Sequence, residues 1–397
     1  MPKELIGYIL CGDSYVWTKR GVLKVQELEE TDDILGLDIE KREPTFQKLT
    51  SCPRKLREGT SIRITTDVNE IIVPEQAKLY LINGKKIASN VVEGDELDIF
   101  YRPKTFDMLR NLYDSNEAQH LRIGPKEIEV SENFAYLLGT QAIVQSWAMH
   151  KIVMQLESDM NCGKICSILK QALHDIGLRY DLDYKIFYRP DRKKIIVIDQ
   201  SADGFITKII SEIFQPENVQ ELSRALPQKM PKIIRLSPTN IMKQFIEGVL
   251  DSRAKISRGG LVKFYTFARD NEVRRFILSI LALFNIQPRY SFVNKPEWGL
   301  ATIYTYLALP KERLFNLKSL AIASEEALTH KTRDDVKLYS VVKNIARFKR
   351  SQYLIPSPKE HWDIIADLVP LHSQKLSLQI QKSGVQSQAP RRLSECH

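Results

Sequence analysis

Ala135-Tyr-Leu-Leu-Gly139-Thr-Gln-Ala-Ile-Val144-Gln145 returns in looser form as Phe245-Ile-Glu-Gly248-Val-Leu-Asp251-Ser-Arg253-Ala254. With Gly139 laid over Gly248, the two stretches stand 109 positions apart. The pattern predicts helices over about 132–147 and 239–252. Gly139 and Ala142 on the first, and Gly248 on the second, are small where two backbones would approach closely. Ala135, Tyr136, Leu137 and Leu138, with Phe245, Ile246, Val249 and Leu250, supply apolar side chains for the remaining faces.

The order of elements after each stretch also repeats. A strand near 151–156, a helix near 162–176, a hairpin of 183–189 with 194–199 and a helix near 205–214 follow the first. A strand near 261–267, a helix near 272–284, a hairpin of 289–293 with 302–307 and a helix near 311–320 follow the second. The region before them is different in kind. Short alternating segments at 15–18, 22–25, 34–37, 61–65, 71–73 and 79–82, punctuated by turn formers such as Asn83-Gly84, predict a small all-β unit.

These residues resemble two families found joined in nature. The paired stretches are similar to the signature helices of LAGLIDADG (DOD-type) homing endonucleases, whose final aspartates together hold the metal ions that cut DNA. Cys11-Gly-Asp-Ser14 with Val25-Gln-Glu-Leu28 resembles the opening block of intein and Hedgehog-type (Hint) modules. Gly59 through Asn69 and Ile71-Ile-Val73 resemble their second block, and Gly84 through Asp95 the hairpin after it. The resemblance covers roughly residues 7 to 320. It implies a multidomain chain: an all-β Hint-like module over 1–105, then a pseudo-symmetric α+β LAGLIDADG domain over 131–325. The two repeats would span about 131–215 and 235–325. A polar linker over 106–130, a helical basic extension over 326–376 and a disordered tail over 377–397 complete the expectation.

Composition bounds the setting. With 43% apolar residues the chain can bury real cores, and no run of about 18 apolar residues suggests a membrane span. Five scattered cysteines and no signal pattern at Met1-Pro-Lys-Glu point to a reducing compartment, cytoplasmic or nuclear. Cys162 and Cys166 lack a completing pair for zinc, so no metal site is expected. The net charge of +9 makes a polyanion the first partner to test.

The chemistry that the resemblance implies meets missing groups. Splicing needs a Cys or Ser nucleophile, a His that polarises the scissile amide, and a terminal Asn that cyclises. Ile9 stands at the nucleophile position and Asn69 at the His position, and an amide moves no proton near neutral pH. Cys11 is offset by two residues, and Cys396-His397 offers no His-Asn pair. Metal-dependent cleavage needs two carboxylates bridging hard cations. Val144 and Arg253 stand at those two positions, and Asp251, about 200° round the helix, faces elsewhere. Lys229 matches a family lysine that assists cutting. No cofactor is expected, with Mg²⁺ reserved for the nuclease alternative.

For nucleic acid the resemblance implies a saddle of strands that enters a groove. Strand alternation gives Lys185 and Arg189, Lys263 and Arg289 as candidate contacts, and Arg192, Lys193 and Lys194 concentrate charge at a hairpin tip. Arg253 could meet a phosphate where cations once sat. Phe187, Tyr188, Tyr265, Tyr304 and Tyr306 are expected mostly in the core. Three readings stay open. The first is nucleic-acid binding, to double-stranded DNA before RNA, without cleavage or splicing. The second is a protein-interaction scaffold on the same fold, and the third a nuclease with displaced ligands.

Overall fold

The computed structural model describes residues 7–38, 43–49, 54–66, 70–98, 103–140, 144–148, 151–157, 162–189, 194–200, 205–214, 230–256, 262–267, 279–281, 283, 289–295, 302–309 and 339–356. Among the described residues the N-terminal part holds ten strands. They are β1 Gly7–Cys11, β2 Tyr15–Thr18, β3 Gly21–Lys24, β4 Asp33–Asp38 and β5 Glu43–Lys48, then β6 Arg54–Thr66, β7 Glu70–Pro74, β8 Lys78–Leu81, β9 Gly84–Ile87 and β10 Glu96–Asp98. β2 to β5 form one sheet in the order β3-β2-β4-β5.

Helix α1 (Pro103–Asp114) and a hairpin of β11 (His120–Ile123) with β12 (Lys126–Glu129) occupy the stretch expected as a linker. That expectation is corrected. Polar residues dominate the stretch, but Phe106, Leu109 and Tyr113 form one buried stripe at helical spacing. Tyr113 stacks on Trp17 of β2, centroids 6.2 Å apart, and its hydroxyl donates to the Thr18 carbonyl. Tyr15, Trp17, Val22 and Leu35 therefore belong to the same hydrophobic core as the helices that follow.

The first signature helix, α2 (Glu132–Thr140), begins at Ser131, whose hydroxyl accepts from the Phe134 amide. It is shorter than expected. Thr140 turns its hydroxyl back to the Leu137 carbonyl, and the chain resumes as strand β13 (Val144–Ala148). Val144 therefore opens a strand and does not end a helix. β14 (Lys151–Glu157), α3 (Cys162–Asp175), β15 (Tyr184–Arg189), β16 (Lys194–Asp199) and α4 (Phe205–Phe214) follow. A short helix α5 (Lys232–Arg235) leads into the second signature helix, α6 (Thr239–Arg253), which runs straight into β17 (Ala254–Ile256). β18 (Val262–Phe267), β19 (Arg289–Lys295) and β20 (Thr302–Leu309) complete the second unit. The two sheets have one topology, β13-β14-β16-β15 and β17-β18-β20-β19. Internal repetition is thus a property of the fold. The helix expected near 311–320 lies outside the described residues.

Tyr339–Pro356, expected within a helical extension, is instead an 18-residue strand, β21. Val342, Phe348 and Gln352 are buried while Arg347 and Lys349 are exposed, a two-residue alternation. Lys343, Arg347 and Arg350 also fit a helical stripe, so the local pattern alone is ambiguous. Pairing decides it. β21 joins β6 along most of its length and also pairs with β1 and β10, closing a sheet in the order β7-β6-β21-β10-β8-β9. The two-helix unit is therefore inserted into an all-β frame that the chain re-enters after it. Residues 377–397, expected as a tail, lie outside the described residues. Among the described residues no helix is long and apolar enough to cross a membrane.

A candidate nucleic-acid interface on two pseudo-equivalent sheets

Gly139 and Gly248 fix the geometry on which any site here depends. A Cβ built on Gly139 would lie 2.0 Å from the Phe245 carbonyl oxygen, and one on Gly248 would lie 2.2 Å from that of Tyr136. The helices cross backbone against backbone. Tyr136, Leu137, Phe245 and Val249 are buried around the crossing, and the Asn240 amide donates to Glu132 across their N-terminal turns at 2.8 Å. Ala142 lies outside the described residues. The second of these helices runs directly into the first strand of its sheet, and the first ends at Thr140, short of its own at Val144.

The two family acid positions end up in different local structure. Val144 begins β13, opposite Met154 of β14, and Arg253 is the last residue of α6. Sequence reasoning passed over Glu247, a carboxylate buried in the middle of α6 with Lys243 at 3.8 Å on the next turn. Its only sequence signal is an acid inside an apolar stretch. No group of three or more His, Cys, Asp or Glu suited to a metal occurs among the described residues. Lys229 lies outside them.

Backbone register assembles the basic residues. Lys255 pairs with Lys263, Lys263 with Ala308, and Ala308 with Arg289, so one transverse row across all four strands carries three cations. The steps between strands are about 4.8 Å. Lys255 was missed because a three-residue strand is too short to show a period. In the other sheet Arg189 stands opposite Lys194, and Lys194 opposite Glu157. Lys185 is half-buried on β15, two residues before Phe187. Phe187 and Tyr188 are 45% and 46% exposed, against the expectation that they pack inside. Their partners Ile196 and Ile195 on β16 show the reason: β15 is an edge strand, with one side open. Arg192 and Lys193, expected at the hairpin tip, lie outside the described residues.

Of the splicing positions, Ile9 lies on β1, which pairs with β21 beside β6. Ile9 pairs with Leu354, and the end of β21 against it reads Leu354-Ile355-Pro356. Cys11 is fully buried, its sulfur 3.4 Å from the Ser61 hydroxyl. Gln352, its register partner, donates to the Thr60 carbonyl at 2.9 Å. Arg350 pairs with Asp13, and burial holds its guanidinium below its ordinary value, partly offset by Cys11. Thr66 is buried, and Asn69 lies outside the described residues.

The frame and the insert are bound by more than apolar packing. Arg235, 2% exposed, donates to both carboxylate oxygens of Glu27 at 2.6 and 2.7 Å and to the Val22 carbonyl at 3.0 Å. Burial alone would raise Glu27, but the Arg235 hydrogen bonds and charge outweigh it and hold the carboxyl below its ordinary value.

No family model matches the chain, and no curated protein matches its sequence. Solved structures do match in part. The chain is similar to I-DmoI in complex with DNA and calcium, at 13% identity and a TM-score of 0.32, over 51% of this chain and 98% of that one. It is also similar to the DnaX mini intein from Spirulina platensis, at 13% identity and a TM-score of 0.20, over 30% of this chain and 73% of that one. A bacterial intein-like domain from Clostridium thermocellum matches at 16% identity and a TM-score of 0.21, over 23% of this chain and 67% of that one. Likenesses this low carry no functional assignment, which has to come from the residues of this chain.

Proposed function

We propose that this chain is a nucleic-acid-binding protein related to intein-borne homing endonucleases, holding DNA on its paired sheets without cutting it and without splicing itself. The observation that carries the reading is the row Lys255–Lys263–Ala308–Arg289. Like charges directly opposite each other weaken a sheet by some tenths of a kcal/mol. A polyanion bound to that face turns the cost into an attraction. The net charge of +9 favours the same partner. Val144 and Arg253 offer no carboxylate for the family's metal ions, and Ile9 no nucleophile for splicing. The resemblance to the intein-borne family supports duplex DNA as the first ligand to try. The test is a binding series on duplex DNA from low to moderate salt, with a parallel cleavage assay in magnesium or manganese. Binding with a steep salt slope and no product is expected. No binding at low salt would overturn the reading in favour of a protein-interaction scaffold.

A further inference from the structure

We infer that the first sheet takes unpaired bases, so that the ligand of the proposed interface includes a single-stranded segment of nucleic acid. The inference rests on the nucleic-acid reading above and sharpens it. Phe187 is 45% exposed on edge strand β15, with Lys185 two residues before it and Arg189 two residues after. Residues two apart on a strand share a face and stand about 6.7 Å from one another. That is about twice the 3.4 Å rise of bases stacked in a duplex, the spacing of a strand whose bases are separated.

A phenyl ring has no donor or acceptor with which to read a base edge. In a duplex the faces it could stack on are already covered by neighbouring base pairs. Exposed aromatics interleaved with cations on a sheet instead suit bases that have left a stack, the ring taking the face and the cations the phosphates. Ile196 and Ile198 stand in register opposite Phe187 and Lys185, so the neighbouring strand brings apolar residues to these positions. Charge decides the occupant. A purely apolar protein partner offers no counter-charge to Lys185 or to the register pair Arg189 and Lys194, whereas a phosphate backbone does. The second sheet repeats the composition in register. Tyr265 stands opposite Tyr306, one two-residue step along from the Lys263–Ala308–Arg289 row.

The test compares the full chain with Phe187→Ala, Phe187→Leu and Phe187→Trp on a mixed-sequence single-stranded DNA, the matching RNA and the matching duplex. Because Phe187 is exposed, these variants should fold, which circular dichroism checks. Phe187→Ala and Phe187→Leu should lose roughly tenfold or more in single-strand affinity and keep duplex affinity. Phe187→Trp should retain binding, and its added fluorescence should be quenched by the single strand. Equal single-strand affinity for the unmodified chain and Phe187→Ala would overturn the inference while leaving the nucleic-acid reading intact. Failure of the unmodified chain to bind any of the three at low salt would overturn both.

Discussion

Arg235 and Glu27, 208 residues apart in the chain, share two hydrogen bonds at the seam between the all-β frame and the inserted two-helix unit. The guanidinium is almost completely buried and also lies over the Tyr15 ring, 5.5 Å from its centroid. Breaking a buried pair from one side leaves the other charge uncompensated, at a cost of about 3 kcal/mol. Arg235→Met, which leaves the partly exposed Glu27 behind, is therefore expected to destabilise the whole chain by about that amount, and Glu27→Gln, which leaves the buried guanidinium uncompensated, by at least as much. Denaturant unfolding monitored by fluorescence checks this. A change below about 0.5 kcal/mol in Arg235→Met would show that the seam depends on apolar packing alone.

The same pair gives stability a pH dependence. The Glu27 carboxyl lies below its ordinary value of 4.5 when folded, so the unfolded chain binds the proton more tightly. Its contribution is complete above about pH 5 and is lost as pH falls through the folded value. Thermal unfolding between pH 7 and pH 3 should show a falling midpoint at the acid end, and Glu27→Gln should flatten part of that fall. An acid limb of the same slope in Glu27→Gln would exclude this carboxyl as a contributor.

Gly139→Ala and Gly248→Ala each drive a methyl group into the backbone of the facing helix. Backbone cannot swing aside as the end of a side chain can, so overpacking here is expected to cost about 3 kcal/mol or more. Alanine's better helix propensity returns only about 1 kcal/mol. Both variants should show a large drop in melting temperature, and the double variant should cost less than the sum, since one separation of the helices relieves both clashes. Unchanged stability in either single variant would contradict the close crossing.

The crossing was legible in the sequence because a lone glycine within an apolar stretch, met twice, has few other uses. The hairpin 184–189 with 194–199 and the helices at 162–175 and 205–214 were legible for the same reason, each having one clear period. What was not legible depended on distant partners. Lys343 through Arg350 fits a helix as well as a strand until β6 is alongside to pair with it. Phe106, Leu109 and Tyr113 are too few among polar neighbours to announce a helix until Trp17 is there to stack on. The row Lys255–Lys263–Arg289 spans three strands, so no window along the chain contains it. The candidate site was thus visible as residues, and only pairing made it an arrangement.

Within that row each cation should contribute one unit to the ionic response. Lys255→Ala, Lys263→Ala and Arg289→Ala are each expected to lower the slope of log affinity against log salt by about 0.9 for duplex DNA. Lys194→Ala tests the same response in the other sheet, where its register neighbours are Arg189 and Glu157. If Lys263 or Arg289 also reads a groove edge, its loss will change preference among sequences, whereas a phosphate contact weakens all sequences alike. A salt series on two unrelated duplexes separates these outcomes. Slopes identical to that of the unmodified chain in all three variants would remove the row from the interface.

The unmodified chain is expected to remain one piece and to leave DNA intact. For the first, Ile9 lacks a nucleophilic atom and the strand end against it is Leu354-Ile355-Pro356, so neither attack nor cyclisation has a group to start from. Cys11, the nearest thiol, is fully buried against Ser61 and should resist labelling until the protein unfolds. Intact mass before and after incubation with excess thiol reads this directly. For the second, a hydrocarbon at Val144 and a cation at Arg253 give divalent metal no anionic ligands at the two motif ends. Val144→Asp or Arg253→Asp alone should stay inactive, because one carboxylate cannot hold both ions. The two together are the minimum that could restore magnesium-dependent nicking. Since Val144 opens a strand while Arg253 closes a helix, restored carboxylates would be carried on unlike backbone. The double variant is accordingly expected to nick a supercoiled plasmid far more slowly than it binds it. Efficient cutting by the unmodified chain would mean that other acids hold the metal, with buried Glu247 the first to replace by glutamine.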